Sequence, residues 1–105
     1  DLTETGRLLG SPNYLSPEAA AGRVDAVGPA SDIYSLGALF YELLTGRPPF
    51  LSQSLPDTLL NIRDREPVGL RRLNPAVPAD LETICLKCLE KHSQARYPSA
   101  QALAD

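Results

Sequence analysis

Tryptophan and methionine are absent from the 105 residues, histidine occurs once and cysteine twice. Two cysteines build no disulfide framework, which fits a reducing cytosol. Their spacing, Cys85-x-x-Cys88, matches a redox pair or half a zinc site. There is no second pair, and His92 is the lone histidine. The two cysteines are therefore read as small apolar residues on a helix face. No stretch of eighteen apolar residues exists, so no membrane span lies within 1–105. Charge of one sign is also missing: 10 Lys and Arg face 13 Asp and Glu, a net charge of −3. That balance excludes the basic surface of a nucleic-acid binder. No segment alternates with a period of two, so strands are not expected. The first residues, Asp1-Leu2-Thr3-Glu4-Thr5, are polar and lack a starting Met, and they are expected to continue from an upstream chain.

What is present is helical. Residues 1–30 carry Gly6, Gly10, Pro12, Pro17, Gly22, Gly28 and Pro29, too closely spaced for long elements. A short helix over 17–22 fits proline in a first turn and glycine at an end. Over 31–45, Ile33, Leu36, Gly37, Phe40, Leu43 and Leu44 recur at helical spacing, while Tyr34, Ala38, Leu39 and Tyr41 are apolar as well. Only Glu42 is charged within 33–45, which predicts a buried central helix. Ser31 or Asp32 is positioned to cap it, and Gly46 followed by Pro48-Pro49 stops it.

A more polar helix is predicted over 54–65, with Leu55, Leu59 and Ile62 on one face and Pro67 beyond its end. A proline-rich connection follows over 66–79. Over 80–91, Leu81, Ile84, Cys85, Cys88 and Leu89 form an apolar stripe. Asp80 and Glu82 lie at its positive end, and Lys87 and Lys91 at its negative end. A last helix starts near Ser99. The fold class is mainly α. A helix apolar on every side needs neighbours all round, and three short helices can hardly wrap it. Further chain is expected to complete the shell.

Four motifs then stand in one order. Gly10-Ser11-Pro12-Asn13-Tyr14-Leu15-Ser16-Pro17-Glu18 resembles the end of a protein-kinase activation segment, whose closing motif is Ala-Pro-Glu. Ser31-Asp32-Ile33-Tyr34-Ser35-Leu36-Gly37 resembles the start of that family's central helix, and Leu44-Thr45-Gly46-Arg47-Pro48-Pro49-Phe50 its exit. Cys88-Leu89-Glu90-Lys91 with Arg96-Tyr97-Pro98-Ser99-Ala100 resembles its late helices. The resemblance spans the whole chain and is strongest to bacterial serine/threonine kinases of the eukaryotic type. Ser11 stands for the commoner Thr, Ser16 for Ala, Tyr34 for Trp, and His92-Ser93 for Asp-Pro.

The resemblance implies part of the helical, C-terminal lobe of a two-lobe α+β kinase domain. Residues 1–22 would form the activation segment and substrate platform, 31–45 the central helix and 54–105 the C-terminal helices. Gly10, Ser11 and Tyr14 would belong to the platform for a protein or peptide carrying a Ser/Thr acceptor. By resemblance Ser11 hydrogen-bonds the catalytic Asp and Lys; on its residues alone Gly10-Ser11-Pro12 is an ordinary turn. Glu18 and Arg96, 78 positions apart, would form an ion pair tying platform to late helices, rather than two unrelated surface charges. Asp32 would accept hydrogen bonds from the catalytic loop and support the active site. Thr3, Thr5 and Ser11 are candidate phosphorylation sites, where a phosphate adds about −1.5 to −2 of charge. Tyr14 and Tyr97 read also as packing residues, and His92 as non-catalytic.

ATP and Mg²⁺ are implied for the intact domain. The sequence itself has no Gly-rich phosphate loop, strand lysine, His-Arg-Asp or Asp-Phe-Gly, and Asp1 is not followed by Phe-Gly. No catalytic, cofactor-binding or metal-binding residue is therefore assigned within 1–105, and the chain alone is expected to be inactive. The remaining lobe of the same domain is an implied partner. A cytoplasmic location is expected, with room for a membrane anchor outside this stretch. The alternative is a pseudokinase serving as an interaction module, which would share every motif above. An unrelated helical interaction domain would instead fold cooperatively from 1–105 alone.

Overall fold

The computed structural model describes residues 12–104. Among the described residues six α-helices follow one another: α1 (Pro17–Ala20), α2 (Pro29–Thr45), α3 (Leu55–Asp64), α4 (Leu70–Leu73), α5 (Ala79–Cys88) and α6 (Ala100–Ala104). Short 3₁₀ turns occupy Pro12–Tyr14, Val24–Ala26 and Ser93–Ala95. The described residues form no strand, and none of their helices is long and apolar enough to cross a membrane.

Helix α2 starts two residues before the predicted position because Pro29, with its preset φ, takes the first helical place behind Gly28. Ser31 is then the third helical residue, and its Oγ accepts from the Gly28 N–H at 3.1 Å. Asp32 is not the cap; it lies one residue deeper and is exposed. Its charge suits the positive end of the helix without filling a backbone donor. At the other end Gly46 adopts φ 89° and donates its N–H to the Glu42 carbonyl at 2.8 Å, a left-handed stop that glycine makes without Cβ strain.

The central helix is apolar on two sides that differ in cover. Ile33, Tyr34, Gly37, Ala38 and Tyr41 are buried against α5, α4 and the Pro12–Tyr14 turn. Phe40 and Leu43 stay 43% and 70% exposed, so the described residues do not sheathe the helix all round. Its closest approach is to α5. A Cβ at Gly37 would lie 2.4 Å from the Cys88 Cβ, and the Cys85 thiol donates to the Gly37 carbonyl at 3.3 Å. The absent side chain lets the two backbones meet.

The other helices shift at their ends. In α3 the Ser54 Oγ accepts from the Asp57 N–H at 3.3 Å, and Arg65 is already extended ahead of Glu66-Pro67. Its buried face is Thr58 and Ile62, with Leu59 half-buried; Leu55 is exposed, contrary to the predicted stripe. The connection over 66–79 contains the single turn α4, too short to leave a period in the sequence. Leu70 in it is wholly buried. Around it the Tyr41 hydroxyl donates to the Val68 carbonyl at 2.6 Å, and Asn74 Nδ2 donates to the Leu44 carbonyl at 2.9 Å.

Helix α5 ends at Cys88, three residues before the predicted end. Leu89 leaves helical geometry and is buried, while Leu81 of the predicted stripe is 43% exposed. The shortened end frees Lys91 to reach back, its Nζ donating to the Ile62 carbonyl at 2.6 Å and lying 4.4 Å from the Phe50 ring centre.

Candidate functional site

The segment before α1 is fixed by its own cap. Ser16 is 2% exposed and its Oγ accepts from the Ala19 N–H at 3.3 Å, with Pro17 in the first turn. This geometry turns Glu18 inward, where it is buried. Arg96 arrives from the far end of the chain, held by the Ser93–Ala95 turn, and is 3% exposed.

The two side chains meet at two points. Arg96 Nη1 donates to Glu18 Oε2 at 2.8 Å and Nη2 to Oε1 at 2.9 Å. The remaining guanidinium donors are used as well: Nε to the Glu90 carbonyl at 2.7 Å, Nη1 to the Ala30 carbonyl at 3.0 Å and Nη2 to the Lys91 carbonyl at 3.1 Å. The Ser31 hydroxyl adds a bond to Glu18 Oε2 at 2.6 Å. Burial alone would raise the Glu18 carboxyl, but the bonds from Arg96 and Ser31 outweigh it and hold the pKa down to about 2. Glu18 is therefore a permanent anion with both oxygens engaged, suited to holding structure and unsuited to shuttling protons.

A second contact joins the same segment to α2. The Tyr14 hydroxyl donates to Glu42 Oε1, and the Ser35 hydroxyl donates to the Tyr14 carbonyl at 2.6 Å. The carboxylate that accepts its proton, together with burial, pushes the Tyr14 pKa up to about 12. Tyr34 shares a buried core cluster with Tyr14 and has the Arg96 guanidinium 5.1 Å from its ring centre. Its hydroxyl is buried and has no hydrogen-bond partner among the described residues.

Of the residues singled out in the sequence, Glu18 and Arg96 are in direct contact and Tyr14 lies on the same stretch, buried. Asp32 stays apart: among the described residues its carboxylate accepts no hydrogen bond. Gly10, Ser11, Thr3 and Thr5 lie outside the described residues. Tyr97 is half-buried with Lys87 Nζ 4.7 Å from its ring centre, and His92 is exposed. Sequence reasoning missed Ser31 as a partner of Glu18 and Glu42 as the partner of Tyr14. The second had a signal, since Glu42 is the lone charge within the apolar stretch 33–45.

Cys85 and Cys88 are buried free thiols. Burial pushes their pKa values up to about 12 and about 11. They are protonated at neutral pH, a poor state for redox or metal chemistry. Among the described residues no three His, Cys, Asp or Glu side chains converge on a metal position. No phosphate-transfer step is assigned to the described residues.

Comparison with known proteins adds the family. The model of the protein kinase domain matches residues 2–105. The serine/threonine-protein kinase PknB of Mycobacterium leprae (strain TN) is 37% identical over 99 residues, covering 94% of this chain and 16% of the relative. PrkC of Bacillus subtilis (strain 168), also a serine/threonine-protein kinase, is 42% identical over 100 residues, covering 95% and 15%. PksC of Streptomyces coelicolor (strain ATCC BAA-471 / A3(2) / M145), with the same description, is 40% identical over 103 residues, covering 96% and 18%. The chain thus spans less than a fifth of the length of these relatives. With its helical architecture and its buried Glu18–Arg96 pair, the chain belongs to the protein kinase domain family.

Proposed function

We propose that this chain is the substrate-platform and helical-support part of an ATP-dependent kinase that phosphorylates Ser or Thr hydroxyls on proteins. Phosphoryl transfer depends mostly on positioning and electrostatics, so a rigid platform for the acceptor peptide is itself part of catalysis. The observation that carries the reading is the Glu18–Arg96 pair, which locks the segment after Ser11 to the last helices. Gly10, Ser11 and Tyr14 contribute to the acceptor platform, and Glu18, Asp32 and Arg96 keep the site in shape. Thr3, Thr5 or Ser11 takes the regulatory phosphate. ATP and Mg²⁺ belong to the intact domain, in the cytoplasm, and the groups that bind them come from chain outside 1–105.

The test is phosphate transfer from γ-labelled ATP to a Ser/Thr peptide mixture. The intact protein should transfer label, a purified 1–105 piece should not, and Ser11→Ala should lower turnover of the intact protein. An intact, folded protein that transfers no label with Mg²⁺ present would replace this reading with a kinase-like interaction module. Mass spectrometry of active protein that finds no phosphate between Asp1 and Ser11 would remove the regulatory part of it.

A further inference from the structure

Away from the Glu18–Arg96 cluster, the described residues form an open-mouthed cavity of about 270 Å³ between the exit of α2 and the end of α3. Pro48, Pro49 and Phe50 line it and are themselves buried. The same cavity is lined by Arg47, Arg65 and Glu66, all exposed. Neither arginine forms an ion pair among the described residues. Arg47 is nonetheless placed: its N–H donates to Thr45 Oγ1 at 3.4 Å, and the Thr45 hydroxyl lies 2.9 Å from its carbonyl. Its guanidinium also opposes the rise that burial gives the Tyr41 hydroxyl, which sets the charge beside that residue. Lys91 lies at the Phe50 ring but is bonded to the Ile62 carbonyl and faced by the Asp64 carboxylate, so it adds no free charge to the cavity. The neighbourhood is cationic in a chain whose net charge is −3.

The size and the charge select a ligand class. The volume lies below the roughly 300–1,000 Å³ of ordinary small-molecule pockets, so it suits one side chain rather than a nucleotide. The proline and phenyl walls accept a methylene stem. Guanidinium groups favour a planar oxyanion that takes two hydrogen bonds at once. Two arginines against Glu66 leave a single positive charge to neutralise, which a carboxylate matches. A phosphate dianion would be pressed against the Glu66 carboxylate.

We propose that this cavity docks an Asp or Glu side chain from an acidic peptide segment of a protein partner. The site is independent of the phosphate-transfer chemistry and is tested by binding. Fluorescence anisotropy would use the intact protein and a labelled Ala-Glu-Pro-Glu-Ala peptide, alongside Gln and phosphoserine counterparts. The Glu peptide should bind, with the Gln peptide about tenfold weaker or worse. Binding should fade near about 1 M salt, where the screening length is about 3 Å. Arg47→Ala and Arg65→Ala should each weaken it about tenfold. Glu66→Gln should tighten it, and Arg71→Ala, an exposed arginine outside the cavity, should leave it unchanged. Equal binding of Glu and Gln peptides, or insensitivity to both cavity arginines, overturns the proposal. Tighter binding of the phosphoserine peptide overturns the carboxylate assignment.

Discussion

Glu18 and Arg96, 78 residues apart in the chain, face each other across two parallel hydrogen bonds of 2.8 and 2.9 Å in a buried setting. The arginine spends all its remaining donors on three backbone carbonyls, so the pair binds four separate chain positions into one unit. Breaking a buried pair by removing one partner leaves the other charge desolvated and unpaired. Glu18→Ala in the intact domain is expected to cost about 3–5 kcal/mol in denaturant unfolding. Arg96→Ala should cost a similar amount, and the double variant less than the sum. An unchanged denaturation midpoint in Glu18→Ala would contradict this account.

The same carboxylate predicts acid sensitivity. Glu18 has a pKa of about 2 in the folded protein against an ordinary value of 4.5, so the unfolded chain binds its proton more readily. Its contribution to stability is present above about 4.5 and is lost as pH falls toward about 2. The size is roughly 3 kcal/mol from one group. Urea unfolding of the intact domain between these pH values should show the loss, and Glu18→Gln should flatten that part of the profile. A profile equally steep in Glu18→Gln would assign the acid loss to other carboxylates.

Gly37 meets Cys88 where a methyl group has no room, at 2.4 Å from the neighbouring Cβ. Gly37→Ala should therefore destabilise the domain by about 1–3 kcal/mol or more, despite alanine's better helix propensity. Adding Cys88→Gly removes the opposing Cβ and should recover part of the loss. Thermal melts of the two variants decide it, since Gly37→Ala alone melting above the parent would mean that α2 and α5 separate freely.

Two tyrosines should respond differently to loss of their hydroxyls. Tyr14 donates to a carboxylate, so Tyr14→Phe is expected to cost about 1.5–3 kcal/mol. Tyr34 buries a hydroxyl without a partner among the described residues, so Tyr34→Phe should be neutral or stabilising. Paired chemical denaturation curves check both, and a larger loss in Tyr34→Phe than in Tyr14→Phe would reverse the assignment.

The buried thiols should be nearly inert to Ellman's reagent while the domain is folded, because their pKa values of about 12 and about 11 leave little thiolate at neutral pH. In denaturant both should react at once. Fast reaction of the folded intact domain would show that α5 opens readily.

The helices of this protein were legible because their signals are local. Pro17 sits in a first turn, Gly46 ends α2, and the apolar spacing of 31–45 survives in the observed helix. Ends moved by one to three residues where a cap depends on geometry rather than composition, as at Gly28 and Leu89. The single turn at Leu70–Leu73 left no period to read.

Sequence by itself determined the family, through four motifs whose order and spacing are linear properties of the chain. Burial was decided only in three dimensions. Asp32 and Glu18 are both carboxylates in motif positions, yet Asp32 is exposed and Glu18 is 7% exposed with both oxygens bound. Leu43 and Leu89 are equally apolar, yet one is 70% exposed and the other 1%. The difference lies in which neighbours the packed helices bring within reach. That depends on partners distant in the chain, which no local pattern of residues encodes.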